Sequence, residues 1–72
     1  MKWIEDIYGN LINLNLAQYI KIVEKVENNV EVRVIFNNGA YGIIHKSRDF
    51  EKSKRFMEDL KKTLPIHQKE LF

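Results

Sequence analysis

Seventy-two residues carry 12 Lys and Arg against 10 Asp and Glu, a formal net charge of +2, and no cysteine. That length holds one domain, and the composition excludes both a disulfide framework and a thiolate metal centre. A chain this short buries only about 60% of the surface it exposes unfolded, so it relies on a well-packed core or on self-association.

Charge is unevenly spread. Residues 1–44 hold 4 basic and 5 acidic side chains, whereas residues 45–72 hold 8 and 5. No stretch approaches the roughly 20 apolar residues of a membrane span. The opening Met1-Lys2-Trp3-Ile4-Glu5-Asp6 turns acidic where a signal peptide needs its apolar run. The expected location is therefore the cytoplasm. Nine Lys, 7 Asn and 9 Ile against 2 Ala point to an A/T-rich genome, that of a low-GC bacterium or its phage.

In chain order, Lys2–Tyr8 and Leu11–Leu14 flank Gly9-Asn10, a two-residue hairpin signal that would align Trp3, Ile7, Ile12 and Leu14 on one face. Asn15 to Gln18 reads as a turn. A strand from Tyr19 to Val26 then meets Val30–Phe36, whose alternating Val30, Val32, Val34 and Phe36 mark a half-buried strand. Two registers compete around Glu27-Asn28-Asn29. A two-residue loop sets Val32 and Val34 beside Lys25 and Val23. A three-residue loop, Glu27–Asn29, pairs Val26 with Val30, Ile22 with Val34, Ile20 with Phe36 and Lys25 with Glu31. The second is preferred because it matches opposite charges and lets Asn29 take the left-handed position. Asn38-Gly39 predicts a type I′ hairpin that would put Tyr41, Ile43 and His45 on the buried face.

Ser47 or Asp49 caps a helix whose inner stripe is Phe50, Ser53, Met57, Leu60 and Leu64, widened by Phe56. Glu51–Arg55 and Glu58–Lys62 stand at i,i+4 on the outer face. Pro65 ends the helix at Leu64. The expected architecture is a single α+β domain over 1–64. An antiparallel sheet of four to five strands packs on one C-terminal helix, and 65–72 form a short tail with Ile66, Leu71 and Phe72 apolar.

Chemistry-bearing residues are sparse. His45 and His67 are the only histidines, and no carboxylate pair stands at ligand spacing beside them. Nothing orients Ser47 and His45 as a triad. Gly39-x-x-Gly42 belongs to a hairpin turn and not to a phosphate loop. The expectation is no enzyme, with no catalytic residue, cofactor or metal. The basic residues Lys46, Arg48, Lys52, Lys54 and Arg55 gather around the helix start. They read either as a phosphate-contacting patch or, by preference, as a solvated helix face interleaved with acids. The aromatics do not make a stacking platform on this reading, because Phe36, Phe50, Phe56 and Trp3 fall on buried faces. On the side of the sheet that one helix leaves uncovered, Val23, Ile35 and Ile44 surround Gly42 and Arg33, a set that marks an interface.

From Trp3 through Leu64 the chain resembles a pattern common among small uncharacterised proteins of low-GC bacteria and their phages. The matching features are Trp3, Gly9 leading into Leu11-Ile12-Asn13-Leu14, a strand ending in Ile20 and Ile22, the Asn38-Gly39 hairpin and the Ser47-led helix. That resemblance implies a sheet-plus-helix fold. The stretch from Ile12 to Leu60 is also similar to the front half of the LytTR-type DNA-binding domain, which implies contact with DNA. The family's later basic and histidine-bearing strands would have to fit within Pro65–Phe72, where only Ile66-His67 matches. The resulting expectation is a non-enzymatic protein-interaction module, homodimeric, with a protein partner the residues do not identify, encoded by a phage or mobile element. The alternative is a weak nucleic-acid binder using the helix-side basic residues.

Overall fold

A computed structural model describes residues 2–26 and 28–63. Strands β1 (Trp3–Glu5) and β2 (Leu11–Asn13) form an antiparallel two-stranded sheet, and one 3₁₀ turn (Leu14–Leu16) follows. Strands β3 (Ala17–Glu24), β4 (Val30–Phe36) and β5 (Tyr41–Ser47) form an antiparallel three-stranded sheet with β4 in the centre. Helix α1 (Phe50–Thr63) closes the described chain. The fold is α+β as expected, with its five strands divided between two sheets. No helix among the described residues is long and apolar enough to cross a membrane. Leu64, Pro65 and the tail 65–72 lie outside the described residues.

The core sits on one face of the larger sheet. Val30, Val32, Val34 and Ile44 are buried, and Ile4, Ile12, Ile20, Ile22, Phe56 and Leu60 are among the partly buried side chains around them. Each fully buried valine contributes roughly 1.5–3 kcal/mol relative to leaving it in water. Helix and N-terminal hairpin share this face.

Asp49 is the helix cap. Its Oδ1 accepts from Glu51 N at 2.9 Å and its carbonyl accepts from Lys52 N at 3.1 Å. Ser47 supports it from β5, donating to the Asp49 carbonyl at 2.9 Å and lying 2.7 Å from Ser53 Oγ. That hydroxyl pair is how Ser53 remains completely buried without an unsatisfied group. Phe50, expected inside, is 42% exposed at the first helical position, and Phe56, Met57 and Leu60 carry the helix's apolar contact. On the solvent side Glu58 meets Lys61 at 3.2 Å and not Lys62.

All three hairpin loops are three residues long and close on a residue with positive φ. The length departs from expectation at Gly9-Asn10 and Asn38-Gly39, whereas the middle hairpin keeps the expected three residues, placed one residue earlier. Asp6 N donates to the Asn10 carbonyl at 2.8 Å and Gly9 N to the Asp6 carbonyl at 3.2 Å. The same pair of bonds joins Phe36 to Ala40 at 3.0 Å and Gly39 to Phe36 at 3.1 Å. Gly9 has φ +87° and Gly39 φ +86°, while Asn38 does not have positive φ. A type I′ turn needs positive φ at both central residues, so Asn37-Asn38-Gly39 is instead a turn ending in a left-handed glycine. In the middle hairpin Lys25 N donates to the Asn29 carbonyl at 3.0 Å, and the left-handed residue is Asn28 at φ +63°, not Asn29.

These loops reset the registers. Ile4 pairs with Ile12, so Ile4 faces the core while Trp3 stays 50% and Ile7 39% exposed. Ile20 pairs with Val34, Ile22 with Val32 and Val23 with Glu31, two residues from the preferred pairing. An even slip keeps the faces, so the inward set survives although Lys25 no longer opposes Glu31. Between β4 and β5 the shift is odd at the turn end: Ile35 pairs with Tyr41, Val34 with Gly42 and Arg33 with Ile43. Tyr41 and Ile43 therefore turn outward, against expectation. A bulge then inserts Ile44, and Val32 pairs with His45 as expected. Gly42 makes room for the N-terminal hairpin, since a Cβ there would lie 2.6 Å from Ile12 Cδ1. Ile7 N, donating to the Ile43 carbonyl at 2.9 Å, ties the same hairpin to β5.

Candidate functional site

Alternation along the three strands places nine side chains on the sheet face away from the helix. By register they stand in three rows: Tyr19–Ile35–Tyr41, Lys21–Arg33–Ile43 and Val23–Glu31–Lys46. The chain's own helix and hairpin occupy the other face. Tyr19 is 49% and Tyr41 50% exposed, and Lys21 and Lys46 are exposed as well.

A charged pair stiffens the centre of this face. Glu31 is only 3% exposed, and its Oε1 receives Arg33 Nε at 2.8 Å and Arg33 Nη2 at 2.7 Å. The two lie two residues apart on β4, so their side chains rise on the same side. The guanidinium also lies over the Tyr41 ring, 4.2 Å from its centroid. Lys21 Nζ is 6.0 Å from the Tyr19 centroid, a looser version of the same contact. Each end of the tyrosine row therefore has a cation beside it.

Of the three residues expected at an interface, Val23 and Ile35 are on this face, partly buried. Ile44 is not. The bulge sends it into the core beside Val32 and Val34 at 7% exposure, and Ile43 occupies the outer position. The five basic residues do not form one surface either. Lys46 opposes Glu31 on the outer face, whereas Lys52, Lys54 and Arg55 are exposed on α1, across the sheet. There Lys54 and Arg55 line a shallow depression together with Lys62, Glu51, Glu58 and Asp59. Arg48 is exposed between β5 and the helix.

Sequence reasoning missed Tyr19, Lys21, Tyr41 and Ile43 as a set. The Tyr19-Lys21-Val23 alternation against Ile20 and Ile22 carries half of the signal. The other half needs the loop length after Phe36.

His45 faces inward and stacks on Phe56, with centroids 4.4 Å apart and planes 18° from parallel. Burial holds its imidazole below the ordinary value of 6.5. Its Nδ1 is buried and makes no hydrogen bond among the described residues. A second concavity, a groove of about 630 Å³, opens between the start of β3 and the second half of α1; Leu14, Ala17, Tyr19, Ile20, Met57 and Leu60 are among its lining residues, with Lys2 and Lys61 at its polar part. Comparison with protein-family models, curated proteins and solved structures gives no match.

Proposed function

We propose that this chain is a non-enzymatic binding module whose working surface is the outer face of the three-stranded sheet. The observation that carries the reading is the row Tyr19–Ile35–Tyr41, two half-exposed aromatic rings on a flat face that the chain's own helix leaves open. Aromatic side chains bury large areas at little entropic cost, which is why they anchor binding surfaces.

A second copy of the chain is one occupant such a face could take. Val23, Ile35 and Ile43 favour it, because packing them against a symmetry mate removes apolar surface worth roughly 25 cal/mol per Å².

Site-specific photo-crosslinking in cells tests the face whatever its occupant. A photoreactive phenylalanine analogue in place of Tyr41 should give discrete adducts, and the same group in place of Lys54 on the helix should not. An adduct of twice the chain's mass identifies a homodimer, which Ile35→Glu should return to monomer in light scattering. No adduct at position 41, or equal yields at both positions, overturns the proposal.

A further inference from the structure

We infer that the partner of this face is a single strand of nucleic acid, its bases lying on Tyr19 and Tyr41 and its phosphates at Lys21 and Lys46. The inference rests on the outer face being the working surface, and it names what that surface takes.

Charge is the first argument. The face holds Lys21, Arg33 and Lys46 against one acid, Glu31. Glu31 is 3% exposed and already bound to Arg33, so the charge the face offers to a partner is positive. A second copy offers Lys21 and Lys46 no free acid on this face, because its own Glu31 is likewise bound to Arg33. A polyanion turns the same lysines into attraction.

Shape and ring placement are the second argument. Tyr19 and Tyr41 lie on β3 and β5 with β4 between them, about 10 Å apart at the usual spacing of strands. Ile35 lies between them as an apolar floor. The guanidinium of Arg33 covers one side of the Tyr41 ring while half of that residue stays exposed. Stacking on such rings needs unpaired bases whose flat faces are free, which a duplex does not offer. The helix side fits less well, since the three basic residues of its depression, Lys54, Arg55 and Lys62, are matched there by Glu51, Glu58 and Asp59.

The test is fluorescence anisotropy of dye-labelled oligo-dT and oligo-U titrated with the full chain at low salt. Binding should weaken with salt along a log–log slope of about −1.4, as expected for two phosphate contacts to a single strand. Tyr19→Leu and Tyr41→Leu should each cost about tenfold in affinity. Lys21→Glu, an exposed change that leaves the core untouched, should weaken binding at least as much even if a tyrosine variant folds poorly. Lys52→Glu with Arg55→Glu should leave the affinity unchanged. The inference is overturned if neither oligonucleotide binds the wild type. It is equally overturned if the helix variants abolish binding while the Lys21 and tyrosine variants do not, or if light scattering finds a wild-type dimer that Ile35→Glu returns to monomer. Were oligonucleotide binding absent while crosslinks at position 41 persisted, the nucleic-acid assignment would fail and the binding face would stand.

Discussion

A carboxylate that keeps 3% of its exposure on the open side of a sheet has to be held, and Arg33 holds Glu31 with two nitrogens on one oxygen. With the Arg33 side chain 15% exposed, the pair is shielded enough for its loss to be felt. Arg33→Ala leaves the Glu31 charge shielded from water and unpaired, and should destabilise the fold by about 3 kcal/mol. Replacing both residues with valine removes the charge as well as its partner and should cost under about 1 kcal/mol, chiefly the lost contact with Tyr41. Urea denaturation of the two variants checks this. Equal losses would mean the pair is not acting as a unit. Sequence shows the i,i+2 placement of Glu31 and Arg33 but not its burial, because that depends on which residues of β3 and β5 stand on either side.

At the scale of elements, the strands and the helix were legible and their registers only in part, Val32–His45 being the expected pair that the structure keeps. Alternation in Val30–Phe36 and the helical stripe Ser53–Met57–Leu60 are local signals, and the elements lie where those signals are. Gly9 and Gly39 mark their turns correctly, yet an Asn-Gly pair fits both a two-residue and a three-residue loop. The choice decides which face Tyr41 and Ile43 occupy. The bulge at Ile44 then reverses the strand again, which is why one residue of the expected interface is in the core while its neighbour is outside. Val23 and Ile35 could be found from alternation alone, whereas Tyr41 needed the third dimension. Gly42 reports how the N-terminal hairpin docks on this arrangement. A methyl there meets Ile12 Cδ1 at 2.6 Å, the far end of a side chain, so Gly42→Ala should cost about 1–2 kcal/mol by loosening the hairpin. Ile12→Val deletes that same carbon. The double variant should therefore lose less than the sum of the two single changes, a coupling that a double-mutant cycle measures directly.

For the whole molecule, the thin core makes stability responsive to protons, and the structure names two groups that resist taking them. Burial against Phe56 and Val32 lowers the affinity of the His45 imidazole for a proton. Asp6 is held below its ordinary 3.8 chiefly by the backbone N–H of Asn10, 2.8 Å from Oδ1, with Asn10 Nδ2 and Tyr8 N adding further donors to the carboxylate. In both cases the folded pKa lies below the unfolded one, so the unfolded chain binds more protons and stability falls as pH falls. The His45 contribution is complete above its unfolded value of 6.5 and is lost as pH drops from there through the folded pKa. The Asp6 contribution is complete above 3.8 and is lost below it, in more acid solution. Thermal melts followed by circular dichroism from pH 8 to pH 3 should show the melting temperature declining in two separated stages. His45→Phe keeps a ring to stack on Phe56 and cannot titrate, so it should remove the first stage and leave the second. Asp6→Asn should flatten the acid stage, at the cost of a less stable first hairpin at neutral pH, because the carboxamide accepts through one oxygen where the carboxylate accepts through two. A wild type whose melting temperature holds constant between pH 7 and pH 5 would show that His45 is protonated as readily folded as unfolded, and the stack on Phe56 would then not be burying it.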